Sequence, residues 1–151
     1  MDFAIPDKIT EDLEQFTGFL RTQMEPFLTE WYKREAVPRE FFQNSGKAGW
    51  LGFTLKNGEL LEQSYLTQAI LLEQLAKISP GVAVAIMVQI SLGMVPIYLF
   101  GSEKQKKIYL PPALRGETLL CLGNTEHKAG SDVASVAMRA EKAEGGWLLN
   151  G

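Results

Sequence analysis

Residues 125 to 132 read TEHKAGSD, an octapeptide that holds Glu126, the chain's single histidine His127, Lys128, a Gly130-Ser131 pair and Asp132. Three kinds of chemistry could use such a set. A serine hydrolase could be drawn through Ser131, His127 and Asp132, but near neighbours on one loop rarely converge, and no glycine-flanked nucleophile elbow surrounds the serine. A metal site needs several ligands at helix or loop spacing, and one histidine with one cysteine, Cys121, does not supply them. These residues therefore yield no catalytic set and no metal set. An anion is better served: Ala129, Gly130 and Ser131 are small enough to let backbone amides approach a phosphate, and the hydroxyl adds a donor. Neither GxGxxG nor GxxxxGK[ST] accompanies them, so two readings stand side by side. The stretch is a phosphate cradle, or it is an ordinary loop between strands in which Thr125 and Glu126 cap or turn the backbone.

The elements that must position this loop are mostly helical. Ile9, Leu13, Phe16, Leu20, Met24, Phe27 and Trp31 recur every three or four residues, which places them on one face of an amphipathic helix. Pro26 falls inside that pattern and should kink it or divide it in two. Pro38 can open the next helix at its first position, followed by a glycine-punctuated turn from Gly49 to Gly52. A helix fits Leu60 to Lys77, with Leu61, Tyr65, Ala69, Leu72 and Leu75 on its apolar face, and Ser79-Pro80-Gly81 ends it. Ser102 with Gln105 has capping-box spacing, so a helix starts there and Pro111-Pro112 closes it. Met1 to about Ala113 thus reads as an all-helical bundle. Beyond ALRGE the pattern changes: ETLLCLGN lacks helical spacing, and SVAMRAEKAEGGWLLNG reads as two strands joined at Gly145-Gly146. Three strands with one hairpin are only the beginning of a sheet. The fold class is mainly α, with residues 1–115 as a helical domain and 116–151 as an incomplete start of a β-domain.

Bulk properties narrow the partners. The chain has 151 residues, 46% of them hydrophobic and 22% charged, which suits one domain with a substantial core. A formal net charge of −3 and the lack of a Lys/Arg-rich block argue against nucleic acid. Gly81 to Phe100 carries no charge and is about as long as a membrane span. Gln89, Ser91, Gly93 and Pro96 interrupt it and no basic cluster flanks it, so it reads as the buried central helix of a bundle, with a membrane-spanning helix as the alternative. Cys121 lies in the apolar stretch LLCL and reads as a small core residue. Trp50 and Trp147 read as packing residues. The acidic N-terminus shows no signal peptide, and a cytoplasmic location is the expectation.

Three blocks in order resemble the acyl-CoA dehydrogenase family. YLFGSEKQKKIYLPPALRGE, residues 98–117, is similar to the end of that family's N-terminal helical domain. GNTEHKAGSD resembles its T-E-P-x-A-G-S-D signature, matched at Thr125, Glu126, Ala129, Gly130, Ser131 and Asp132. GGWLLNG resembles the strand that follows, and the fainter AGWLGF, LLEQLAKISPGVAVAI and SLGMVPI extend the likeness over almost the whole chain.

The resemblance implies FAD as cofactor and an acyl-CoA thioester as substrate. It implies that Leu122 to Ser131 lies along the flavin, with Leu122, Asn124, Thr125, Gly130 and Ser131 as cofactor-binding residues. Thr125 would bond near the reactive ring nitrogen, and Gly130 and Ser131 would lie by the FAD pyrophosphate and the pantetheine, which makes Ser131 a substrate contact as well. Glu126 and Asp132 would hold the loop's shape. Departures are specific: His127 and Lys128 replace a proline and a small residue, Asn124 replaces an apolar residue, and LKNGELLEQS stands in place of a P-E-E-Y-G-G-type loop. The family's catalytic carboxylate belongs to a C-terminal helical domain. The expectation is therefore the N-terminal part of an enzyme that removes an α-proton and passes a β-hydride to flavin, inactive as these 151 residues alone. In full it would be a homo-oligomer, with an electron-transfer flavoprotein as a possible partner. The alternatives are a flavin oxidase or monooxygenase of the same fold, or a non-catalytic helical interaction module.

Overall fold

The first helix forms because its apolar residues share one stripe. In the computed structural model, which describes residues 7–52, 55–56, 59–60 and 64–151, α1 spans Asp7–Gln23. Ile9, Phe16, Leu20 and Met24 are buried along it, and Leu13 packs at the core's margin. Pro26 does divide the periodic segment: a 3₁₀ turn, Glu25–Phe27, separates α1 from α2, Leu28–Arg34. Trp31 continues the buried stripe, whereas Phe27 is exposed and stacks on Trp31. Helix α3 spans Arg39–Lys47, with Pro38 one position earlier than expected, at the N-cap. An aromatic cluster joins these helices: Trp50 meets Phe16 edge-on at 5.1 Å, and Trp31 meets Phe41 in the same way at 5.1 Å.

A short antiparallel pair, β1 (Leu55–Lys56) and β2 (Glu59–Leu60), interrupts what the sequence presents as an all-helical region. The next helix, α4, therefore runs Ser64–Ile78 instead of starting at Leu60, and Leu61 lies outside the described residues. Its buried face is also rotated from the expected one. Gln68, Leu71 and Leu75 are buried while Tyr65 is 63% exposed and Ala69 is exposed. The rotation is possible because Gln68 finds a partner across the core, donating to the Ser91 hydroxyl at 2.8 Å.

Ser79 caps the following helix by accepting from the Val82 amide, with Pro80 in the first turn, and receives the Tyr32 hydroxyl at 2.8 Å. That helix is continuous from Pro80 to Phe100: α5 (Pro80–Met87), a π-helical stretch (Val88–Met94) and α6 (Val95–Phe100). Pro96 cannot donate to the turn before it, and the wider π-turns lie directly upstream of that gap. By length and mean hydropathy of 2.1 the helix could cross a membrane. Its Val82, Ala83, Ile86, Ile90 and Met94 instead join the same buried core as Leu20, Leu71 and Leu75. It is a core helix on one face only, since Val84, Leu92, Leu99 and Phe100 are exposed. Uncharged composition does not distinguish a helix buried all round from one with a single packed side.

Helix α7, Glu103–Leu114, opens on the expected capping box of Ser102 and Gln105. Pro111 and Pro112 lie inside its last turn and do not close it; their carbonyls accept from Arg115, Glu117 and Thr118 and so complete the C-terminus. Two glycines weld this end to α3. A Cβ on Gly46 would strike the Arg115 backbone, and one on Gly116, at φ 70°, would strike the Phe42 carbonyl.

The chain divides into two compact units, Met1–Cys121 and Leu122–Gly151. In the second, β3 (Arg139–Ala143) and β4 (Gly146–Asn150) form an antiparallel hairpin, registered Arg139↔Asn150 through Ala143↔Gly146. Its turn is Glu144-Gly145, one residue earlier than the sequence suggests. The third expected strand is absent among the described residues: 117–118 bend away from the end of α7, and 119–124 form no ladder. Cys121, expected in the core, is exposed on that segment, and Trp147 is 66% exposed on the hairpin. A lone two-stranded ribbon has no inner face on which to bury such side chains.

Candidate functional site

The TEHKAGSD loop lies wholly in the second unit, and its shape comes from its two acids. Glu126 and Ala129 form an isolated bridge, each amide donating to the other's carbonyl at 2.8 and 3.2 Å. His127 and Lys128 sit exposed at the tip of this tight turn, so the turn closes without the family's proline. The Glu126 carboxylate turns away from the tip and accepts from two successive amides, Ala137 and Met138, both at 2.8 Å. One side chain thereby ties the loop to the entrance of β3. Asp132 accepts from the Ser135 hydroxyl, and its carbonyl accepts from the Ser135 amide at 3.1 Å, closing the 3₁₀ turn Val133–Ser135. The Glu126 carboxylate is engaged by backbone amides and that of Asp132 by the Ser135 hydroxyl, and Ala129 at 1% exposure is the loop's buried anchor.

What remains open is a set of uncharged donors. Leu122, Asn124, Thr125, Gly130 and Ser131 are all exposed. The bridge register sets Thr125 and Gly130 side by side, with Ser131 next along. Among the described residues no protein acceptor takes the amides of Gly130 and Ser131, and open space surrounds the missing Cβ of Gly130. Leu122 and Asn124 are in the same exposed stretch, but no described hydrogen bond ties them to the other three. Hydroxyls of Thr125 and Ser131 with two adjacent amides suit the carbonyl and phosphate oxygens of a dinucleotide, and the basic tip adds a favourable field. The residues present fit the group that the resemblance implies. A Ser131–His127–Asp132 relay is not formed, because Asp132 is committed to Ser135. Among the described residues no cluster of acids, histidine and cysteine could hold a metal.

Sequence reasoning missed a second constellation, in the helical unit. Gln89, 2% exposed, lies in the π-helical stretch. Its amide nitrogen donates to the carbonyls of Ala113 at 3.1 Å and Thr118 at 2.9 Å, and its oxygen accepts from the Leu120 amide at 2.8 Å. Gly93, one turn on, makes room for Leu120, whose Cβ lies 2.5 Å from where a Gly93 Cβ would stand. The available signal was one amide within an uncharged apolar run, since a buried polar group must have partners. Arg115 and Glu117, between these anchor points, form a two-pronged ion pair at 2.9 and 2.8 Å. That hydrogen-bonded pairing raises the Arg115 pKa and lowers that of Glu117.

Residues 10–117 match the family described as acyl-CoA dehydrogenase, N-terminal domain. The glutaryl-CoA dehydrogenase of Desulfococcus multivorans is 30% identical over 155 aligned residues, which cover all of this chain and 40% of that protein. The structure of a glutaryl-coenzyme A dehydrogenase in complex with glutaryl-CoA superposes with a TM-score of 0.88 at 29% identity, covering 100% of this chain and 39% of that one. A glutaryl-CoA dehydrogenase from Mycobacterium smegmatis in complex with FADH2 superposes at 0.87 with 28% identity, covering 97% and 38%. The chain thus spans about two fifths of the length of these relatives. With residues 10–117 matched to that domain and the whole chain covered in the superposition on the glutaryl-CoA complex, the chain belongs to the acyl-CoA dehydrogenase family and carries that family's N-terminal domain.

Proposed function

We propose that residues 1–115 are the helical domain, and 116–151 the first part of the middle β-domain, of an FAD-dependent enzyme that oxidises an acyl-CoA to the trans-2-enoyl-CoA. The observation that carries this reading is the loop Leu122–Ser131, where Thr125, Gly130 and Ser131 present exposed uncharged donors while Glu126 and Asp132 fix the backbone behind them. Bound FAD supplies the acceptor for the substrate's β-hydride. The chain's own residues would hold and orient that group: Thr125 would donate toward the ring, and the amides of Gly130 and Ser131, with the Ser131 hydroxyl, would hold phosphate and pantetheine oxygens. Leu122 and Asn124 would complete the cofactor-binding stretch. The α-proton would be taken by a carboxylate outside these 151 residues, so these residues alone would not turn substrate over. Electrons then pass to an external acceptor, an electron-transfer flavoprotein being the class implied, and the complete enzyme assembles from copies of itself.

The test is direct. The complete protein, supplied with FAD, a panel of acyl-CoAs and an artificial electron acceptor, forms enoyl-CoA; no product from any acyl-CoA refutes the reaction. Oxygen consumption in the same assay separates an oxidase or monooxygenase of this fold from a dehydrogenase. A second reading, a non-catalytic interaction module, draws on Trp147, Leu148 and Leu149, which are all exposed on the hairpin. Light scattering behind size exclusion decides it: a monomer with no partner and no FAD uptake excludes both assembly and cradle.

A further inference from the structure

We propose that Gln89 is a positioning residue for the flavin loop: it fixes the point at which the loop-bearing chain leaves the helical unit. The inference rests on the flavin reading of Leu122–Ser131 given above. Both donors and the oxygen of this buried amide are engaged, all on the backbone that ends α7 and follows it, at Ala113, Thr118 and Leu120. None of these bonds serves its own helix. An amide in an apolar core costs free energy unless fully paired, and a leucine or methionine would fill the same volume. What an apolar side chain could not do is fix the position of residues 118–120, because its contacts tolerate sliding along the chain. Two of the three bonds grip Thr118 and Leu120, the last of them two residues before Leu122 in sequence. Gly93 registers the same segment sterically, through the side chain of Leu120. The π-helical stretch Val88–Met94 carries both residues, and interruptions of this type are frequent at functional sites. Loss of these bonds would free residues 118–120 to shift along the helical unit, and with them the point from which the chain continues toward Leu122.

The experiment uses the complete protein and two independent perturbations of the joint. Gln89→Met keeps the volume and removes the bonds, and Gly93→Ala keeps the Gln89 side chain and displaces Leu120. Leu75→Ala, a buried core truncation on α4 that leaves the Gln89 bonds and Gly93 unaltered in sequence, is the control for stability alone. FAD dissociation constants, the flavin visible absorption band and apoprotein unfolding midpoints are measured for each. The expectation is that both joint variants raise the FAD dissociation constant by about tenfold or more, the scale seen when groups supporting a ligand shell are removed, and shift the flavin band. Leu75→Ala lowers the unfolding midpoint at least as much and leaves the dissociation constant within about twofold, inside the usual context dependence of such effects. Joint variants that bind FAD like the wild type, or a Leu75→Ala protein that loses FAD equally, overturn the proposal. Wild-type protein that takes up no FAD overturns the flavin reading itself, and the positioning role falls with it.

Discussion

Replacing Gly116 with alanine should be the most costly of four Gly→Ala changes that separate backbone strain from steric conflict. Gly18 lies exposed in α1 with open space at its missing Cβ, so alanine there stabilises by roughly 0.5–1 kcal/mol through backbone entropy. Gly49 has φ 83° and open space, which leaves only the left-handed penalty, about 1–2 kcal/mol. Gly46 reverses the case: the helix tolerates alanine, but the methyl meets the Arg115 backbone, an overpacking cost of about 1–3 kcal/mol. Gly116 combines φ 70° with a collision against the Phe42 carbonyl, so the two penalties give about 2–5 kcal/mol. Against a typical total of roughly 5–15 kcal/mol that loss is severe. For a chain of this size it corresponds to a melting temperature lower by on the order of 10 °C. Urea unfolding followed by the fluorescence of buried Trp31 and Trp50 measures all four. A Gly116→Ala loss no larger than that of Gly49→Ala would show that α3 and the end of α7 are not held backbone to backbone, and the weld described above would be wrong.

Removing the Ser102 hydroxyl by Ser102→Ala breaks the capping box of α7 and should cost about 1 kcal/mol in the same unfolding assay, with Ser102→Asp retaining most of it. Glu126→Gln keeps the size but leaves one oxygen where two bonded Ala137 and Met138, so hydrogen exchange at those amides should accelerate; unchanged protection would remove Glu126 from its loop-holding role. Because pairing with Arg115 holds the Glu117 carboxyl below its ordinary range, its contribution is complete above the unfolded carboxylate pKa and disappears as pH falls through the lowered folded one. The stability gap between wild type and Glu117→Gln should therefore shrink on acidification, and a gap that widened would reverse the sign of the argument. As an exposed pair its total effect is small.

Much of the helical unit follows from the sequence because its determinants span one or two turns. The stripe from Ile9 to Trp31, the break at Pro26 and the box at Ser102 each act over three or four residues, and spacing records such interactions directly. The loop was legible too, in its order of small residues and flanking acids, although only the structure assigns the Glu126 carboxylate to amides eleven and twelve residues on. The sequence LKNGEL carried a signal for the β1–β2 pair, since an Asn-Gly dipeptide is a strong sequence marker of short hairpins.

The remainder depended on tertiary partners. The apolar residues of α4 permit more than one buried face, and the choice fell to the side on which Gln68 reaches Ser91. Cys121 and Trp147 have the residue types of a core but lie on chain that no described layer covers, and hydrophobicity cannot say whether a covering layer exists. Gln89 shows the division most clearly. Sequence marks it as a polar interruption in an apolar helix, whereas its partners stand 24 to 31 residues away. Local spacing determines which residues can share a helix face; which distant backbone a buried amide must satisfy is decided only when the chain has packed, because that energy exists in no smaller piece of it.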